Sequence, residues 1–397
     1  MIEKKIYIIR QSAVLPSDFS KPKNWREIFL YKWSKKNFHH AELWISNFDH
    51  YALKQRRKID VDFHRDVVAF NTIGYKKTVS ISRIIDAWIF GFKIFFRALK
   101  RVKKGDVVIV SLPTPESVFF ICLGKLFKRY TVIIDVRDNW PSNFTGRGLI
   151  KRLFSLYVHL LNKFNFLIVD KVIWMSAGLY DQHDKKGLLK REDLNHSIIP
   201  VTYYRDMNFK NNSQFAPELF NRPIISFFGT LNEQFDLTIL NDCLENSNLA
   251  SEFNFIIIGD GNQYNSLEQT FNKFENVFFT KQLPYAATQF IAERSEGFFL
   301  FYRDPETYSN HVTNKIREYA EFRKPIIHNL PSNIFTLDDN KYYIGASIKM
   351  HNFHNLIEEI MINDNASIYN LDNLDRFCKQ TSIEGLEEKF IKTVSTV

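Results

Sequence analysis

The sequence predicts an α/β protein built from two doubly wound domains. Near-continuous apolar runs of strand length alternate with amphipathic helical patterns along the whole chain. The alternation breaks once, in a polar stretch near the middle, and then restarts. The charge also reverses at that break: residues 1–200 hold 36 Lys+Arg and 18 Asp+Glu, a net +18, whereas 201–397 hold 17 and 26, a net −9. Ile/Val runs without polar alternation are typical of parallel strands covered on both faces, and strand–helix alternation is the pattern of a doubly wound sheet.

In the first half, strands are expected at 4–10, 41–48, 106–113, 130–138 and 170–176, with helices near 22–37, 81–103, 115–128 and 147–166. The stretch 204–222 carries Asn-Asn-Ser and proline and reads as a linker. After it, strands are expected at 223–230, 253–261, 276–281, 297–302 and 324–329, and helices near 235–246, 264–274, 285–295 and 313–322. The tail, 351–397, is helical with breaks near 364–366 and 380–382. The boundaries that follow are 1–203, a linker at 204–222, 223–375, and a C-terminal helix at 376–397. Ligands of such sheets bind beyond the carboxyl ends of the strands, so the chemistry is expected in the loops there.

Composition narrows the class. Hydrophobic residues make up 45% and charged residues 24%, ordinary for a globular chain with a sizeable core. The three cysteines, Cys122, Cys243 and Cys378, are far apart and form no C-x-x-C, so neither a disulfide framework nor a zinc site is expected. "DVD" at 60–62 has the spacing of a carboxylate pair that recurs by chance, and no metal-protease, hydrolase or P-loop motif is present. No metal or other cofactor is expected. The start, "MIEKKIYIIRQSAV", lacks the apolar core of a signal peptide, and apolar stretches are broken by charge before membrane-spanning length. A cytoplasmic protein is therefore expected. Its basic half would favour an anionic partner such as phospholipid or a pyrophosphate-bearing substrate, and no nucleic-acid-reading motif accompanies it.

Four stretches carry candidate chemistry. In "VTNKIREYAEFRKPIIHN" (312–329), Thr313 is placed to cap a helix whose apolar face is Ile316, Tyr319, Ala320 and Phe322. Lys315 and Arg317 then sit at its electropositive start, which an anion would relieve. The competing reading is a solvated basic face with Glu318 paired to a neighbour. "ISFFGTLNEQFDL" (225–237) runs from a buried strand into Gly229 and Thr230, where a backbone without a side chain allows close approach of a ligand; tight turns use the same residues. "IIIGDGNQYNSLEQ" (256–269) is a strand–turn–helix without the third glycine of a dinucleotide fingerprint. "IIDVRDNWP" (133–141) ends a strand in Arg137 and Asp138, with Trp140 and Pro141 fixing the turn, either as a site or as an ion pair holding the loop. The segment 84–105 carries Trp88, Phe92, Phe95 and Leu99 on one stripe and Lys93, Arg97, Lys100 and Lys104 on another. It would lie on an anionic membrane or pack on the sheet with its basic side in water.

Together these stretches resemble the GT-B-fold glycosyltransferases, in particular the GT4-like bacterial enzymes of surface polysaccharide synthesis. "TNKIREYAEFRKPII" (313–327) is similar to the family's donor-site element P-x-K-x-x-E-Y-x-A-x-G-K-P-V-I. "FFGTLNEQFDL" (227–237) resembles its glycine loop, and "FIIIGDG" (255–261) its "IVGDGP". "IIDVRDNWP" and "ISNFDH" (45–50) resemble segments of a subgroup acting on O-antigen and capsule intermediates. The resemblance implies two Rossmann-like domains facing a cleft, with C-terminal helices packing back toward the first. It implies that Glu318 holds a donor ribose, that Asn314 and Lys315 lie at a diphosphate, and that Gly229 and Thr230 approach the phosphates or the sugar. Arg137 and Asp138 would line the acceptor side. The glycine loop lacks the Arg and Lys of many members, leaving Lys315, Arg317 and Arg303 to balance a diphosphate. The first acid of the family's E-x7-E pattern falls at Asn310, and Arg323 replaces the glycine of A-x-G-K-P. The implied activity is a metal-independent, retaining transfer from a UDP-sugar to a lipid-diphosphate-linked saccharide, at the inner face of the cytoplasmic membrane. A sugar-nucleotide 2-epimerase and an inactive partner in a polysaccharide assembly remain as alternatives.

Overall fold

A computed structural model describes residues 2–15, 26–50, 52–56, 66–77, 80–138, 148–185, 194–200, 215–308, 313–332, 334–337, 340–362 and 370–395. The carboxylate pair at 60–62, Trp140 and Pro141, residues 204–214 of the expected linker, and Asn310 lie outside the described residues. Contacts divide the chain into two compact units, Met1–Tyr204 with Ile383–Val397, and Arg205–Ser382.

The first unit runs β1 (Ile2–Arg10), α1 (Arg26–Asn37), β2 (Phe38–Ser46), β3 (Phe48–Asp49), β4 (Lys54–Gln55), β5 (Val67–Phe70), α2 (Ile81–Arg101), β6 (Val107–Leu112), α3 (Pro115–Lys128), β7 (Thr131–Val136), α4 (Gly148–Ile168), β8 (Lys171–Trp174), α5 (Ala177–Lys185) and β9 (Asn195–Ile198). Seven strands form one parallel sheet in the order β5-β2-β1-β6-β7-β8-β9. Successive strand residues serve opposite faces. Val108, Val110, Val132 and Ile134 pack with Phe90 and Ile94 of α2 and Val118 and Ile121 of α3. Val107, Ile109 and Ile133 pack on the other side with Ile28 and Trp33 of α1 and with Leu386 and Phe390 of the chain's last helix, Ile383–Ser395. That last helix belongs to the first core by its apolar face.

The second unit continues with β10 (Ile224–Phe228), α6 (Thr238–Glu245), β11 (Asn254–Ile258), α7 (Tyr264–Phe271), β12 (Val277–Phe279), α8 (Tyr285–Arg294), β13 (Ser295–Leu300), α9 (Asn314–Ala320), β14 (Ile326–His328), β15 (Ile334–Leu337), β16 (Asn340–Tyr343), β17 (Gly345–Ser347), α10 (Phe353–Ile362) and α11 (Leu371–Thr381). Its parallel sheet has the order β12-β11-β10-β13-β14-β17. The winding direction reverses between β10 and β13, and in the first unit between β1 and β6. At such a switch point neighbouring crossovers leave in opposite directions and open a crevice beyond the carboxyl ends, so each unit has one predetermined place for a ligand.

Candidate functional site

In the second unit the switch-point crevice brings together the loop after β10 and the helix after β13. The amide of Gly229 extends the ladder to Ile258 O at 2.9 Å, and Leu231 N reaches Asp260 O at 3.0 Å. The loops after β10 and β11 therefore run backbone against backbone. A Cβ on Gly259 would sit 1.8 Å from Gly229 O, and one on Gly261 2.1 Å from Leu231 O. The two glycines of the Gly-Asp-Gly turn are thus required by the close packing of the two loops.

Gly229 itself lies under a lysine. A Cβ there would meet Lys315 Cε at 3.0 Å, so the missing side chain makes room for the Lys315 stem. Thr313 caps α9 as its sequence predicts, accepting from Ile316 N at 3.4 Å. Tyr302 on the neighbouring strand end holds Thr313 through a 2.6 Å hydroxyl contact. Tyr319 donates to Phe228 O at 3.2 Å and accepts from Phe228 N at 3.0 Å, stapling α9 to the end of β10. Lys315 Nζ then lies 5.1 Å from the Phe228 ring centroid and donates to Glu318 Oε2 at 2.6 Å. Both side chains are mostly covered, at 21% and 16% exposure.

The charge conflict at the helix start is thus met internally. Lys315 is neutralised by Glu318, the pairing that the competing reading of this segment describes. Arg317 does not face a ligand. It is 2% exposed, pairs with Glu321, and donates to Thr381 O through Nε and Nη2 at 3.3 and 3.0 Å. Its expected share in balancing a diphosphate is corrected on that ground: it ties α9 to α11. Asn314 and Thr230 are exposed at the rim of the same crevice. Arg303 is also exposed, and its amide donates to Gln234 O at 3.0 Å, beyond the far end of the glycine loop. With the Gln263 amide oriented to satisfy both neighbours, its oxygen accepts from Arg303 Nη2 at 2.7 Å. Lys315, Gly229 and Glu318 come together directly; Thr230 and Asn314 are their exposed chain neighbours, and Arg303 sits apart, at Gln234 and Gln263.

His328, at the carboxyl end of β14, escaped the sequence reading. It is fully buried, its Nδ1 accepts from Leu330 N at 3.2 Å, and burial pushes its pKa down to about 3, so the ring is neutral. Nothing in "KPIIHN" distinguishes such a histidine from any other strand residue.

In the first unit, the carboxyl edge of the sheet holds a buried ion network. Arg137 donates to Asp135 Oδ2 at 2.8 Å and to Glu27 Oε2 at 2.6 Å; Arg26 binds Asp135 at 2.7 Å and the carbonyls of Ile199 and Pro200. Burial alone would raise the Asp135 pKa, but the Arg26 and Arg137 guanidiniums outweigh it and hold the carboxyl at about 2. Glu27 is likewise buried yet lowered, by Arg137 and then Arg10. The ion pair read from "IIDVRD" as Arg137 with Asp138 is corrected: Arg137, just past the end of β7, pairs with Asp135 inside the strand and with Glu27 over a hundred residues away, because those carboxylates are buried beside it. Asp138 is exposed beside it. His50, at the end of "ISNFDH", reaches the same edge and is held at about 4, by burial and then by Arg83 and Arg10. Among the described residues no cluster of three His, Cys, Asp or Glu side chains forms a metal site.

No family model and no curated protein matches the chain. Solved structures do. The UDP complex of HepE from Anabaena aligns with a TM-score of 0.65 at 13% identity, over 99% of this chain and 100% of that one. The lipopolysaccharide outer core galactosyltransferase WaaB aligns with a TM-score of 0.62 at 13% identity over 99% of each chain. The chain has the GT-B fold. A UDP-N-acetylglucosamine 2-epimerase shares that fold, with a TM-score of 0.53 at 12% identity over 100% of this chain and 97% of that one. At these identities a GT-B fold fixes the architecture and leaves the chemistry to the residues of the crevice.

Proposed function

We propose that the chain is a GT4-like glycosyltransferase that takes a sugar, with retention and without a metal, from a UDP-sugar bound at the β10–β13 crevice. Its acceptor would be a lipid-diphosphate-linked saccharide of bacterial O-antigen or capsule synthesis, bound at the carboxyl edge of the first unit where Arg137 and Asp138 lie. It would work as a peripheral protein at the inner face of the cytoplasmic membrane. The observation that carries this reading is Lys315 laid over Gly229 with Glu318 one turn on. The two charges neutralise each other until a nucleotide arrives. The diphosphate would then draw Lys315 away while ribose hydroxyls replace it at the Glu318 carboxylate. Lys315, with Arg303 at the rim, would stabilise the charge that grows on the departing diphosphate, an effect concentrated in the transition state. Alignment with structures of UDP-bound and galactosyl-transferring proteins supports the donor class.

A second reading is favoured by the likeness to the 2-epimerase: the same crevice would isomerise a UDP-sugar with no acceptor. A third, an inactive assembly partner, draws on the absence of a cation between Gly229 and Gln234. Incubation with a panel of sugar nucleotides, with and without membrane extract, separates them. Release of UDP that depends on extract is the expected result. Conversion of the sugar nucleotide without extract indicates the epimerase, and no heat on titration with any UDP- or GDP-sugar indicates the inactive partner.

A further inference from the structure

The outer face of one helix layer in the first unit is apolar where a surface ought to be polar. Helices α2, α3 and α4 lie side by side over the sheet: Phe95 meets Phe127, Phe119 meets Phe164 at 5.0 Å, and Trp88 Nε1 donates to Tyr157 OH at 2.8 Å. Their inward residues build the core described above. Yet more than half of the large apolar side chains exposed among the described residues lie on these three helices. On α4 the row Leu149, Leu153, Leu156, Leu160 and Leu167 is 51% to 68% exposed and runs the length of a 21-residue helix, about 30 Å. On α2, Phe92 and Phe96 stand outward in edge-to-face contact at 4.7 Å, and Phe127 ends α3 at 67% exposure. An apolar surface this concentrated marks a docking face.

Charge identifies the occupant. The acidic residues of these helices are Asp86 and Glu116, and both are buried. The exposed charges are cations: Lys93, Lys100, Arg101, Lys128, Arg152 and Lys163. A second copy docked symmetrically would set cations against cations, because a two-fold interface must complement itself. A bilayer bearing anionic headgroups offers apolar depth for Leu and Phe and negative charge for Lys and Arg at once. No helix of the described residues is long and apolar enough to span it.

We propose that the α2–α3–α4 layer is an interfacial membrane-docking face that seats Leu and Phe side chains at the headgroup–acyl boundary of an anionic bilayer. The inference extends the peripheral-membrane part of the proposed function from a basic stripe on α2 to a three-helix surface centred on the α4 leucine row. None of its residues belongs to the nucleotide crevice.

The test is sedimentation of the full chain with phosphatidylcholine vesicles, with and without phosphatidylglycerol, alongside light scattering for mass and calorimetry with UDP in the absence of lipid. Wild type should pellet with the anionic vesicles and stay monomeric without lipid. The Leu153→Gln, Leu156→Gln, Leu160→Gln triple variant, altered only at half-exposed surface positions, should partition at least about tenfold more weakly. The Lys100→Gln, Arg152→Gln, Lys163→Gln variant should also bind more weakly and lose much of its salt sensitivity. Wild-type partition in both variants, a wild type that ignores vesicles, or a dimer dissolved by the leucine changes would overturn the proposal. Unchanged UDP binding in such a case would leave the donor reading standing, while vesicle binding without UDP binding would sink the donor reading alone.

Discussion

At the scale of single residues, the donor crevice is built on a pair of charges that is satisfied now and exchangeable later. Lys315 and Glu318 form that pair. Glu318→Ala should weaken UDP binding while lowering thermal stability only slightly, because a mostly covered i,i+3 pair on one short helix contributes little to folding. Lys315→Ala should lower turnover more than donor affinity, on the order of 100-fold in kcat, if the lysine acts mainly on the leaving diphosphate. Steady-state kinetics of the two variants decide this, and equal small effects on kcat and KM would favour a merely surface-neutralising lysine. Asp135 behaves differently. Its carboxyl is depressed to about 2 by Arg26 and Arg137, so its contribution to stability is complete above its ordinary value and is lost as pH falls from about 4 toward 2. Asp135→Asn should cost about 3 kcal/mol, because two buried guanidiniums lose their shared partner. Urea unfolding as a function of pH measures it. A variant with wild-type stability at neutral pH would remove the network from the account of the first unit.

At the scale of elements, α9 shows how sequence and structure meet. Its cap, apolar face and stop are all legible in "TNKIREYAEFRKP", since each depends on neighbours within a few residues. The stop has a cost. Arg323 takes the left-handed conformation, φ +55°, where a glycine closes a helix without strain. The family element that this segment resembles has glycine at that place, and the backbone supplies the reason. Arg323→Gly should raise stability by about 0.5–1 kcal/mol, since the pair it gives up with Asp375 is exposed. A thermal melt checks this, and a lowered Tm would mean that the ion pair outweighs the backbone term. Several elements escaped the sequence, among them α5 (Ala177–Lys185), the small β3–β4 and β15–β16 hairpins, and three strands at the sheet edges. β5 (Val67–Phe70), β9 (Asn195–Ile198) and β17 (Gly345–Ser347) have one strand neighbour each. Short, polar or glycine-bearing strands such as "NHSI" and "GAS" therefore lack the long apolar run that identifies an inner strand. The helix at 84–105 was legible as amphipathic, yet which side faced the sheet was not. The buried side is Asp86, Ala87, Phe90, Gly91, Ile94 and Ala98, and Phe92 is left outside.

At the scale of the whole molecule, alternating apolar runs and helical stripes were enough to predict two doubly wound units, because that architecture is set by local period and by loop length. The sites were legible only in part. Lys315, Gly229 and Glu318 come from adjacent motifs on neighbouring strands, so their meeting follows from the topology of the β10–β13 switch point. Arg137 could be placed at a strand end, but its partner Glu27 could not, since the contact joins helix α1 to the turn that follows β7. The alignment with UDP-bound HepE gives the same fold to a chain of the same extent, and the crevice chemistry supplies the rest of the functional reading. The most direct measurement is a crystal structure with UDP soaked in. The account predicts a diphosphate between the Gly229 loop and Lys315, with Lys315 drawn off Glu318 and the carboxylate turned to the ribose. A crevice that stays empty in saturating UDP, with Lys315 still bonded to Glu318, would contradict it.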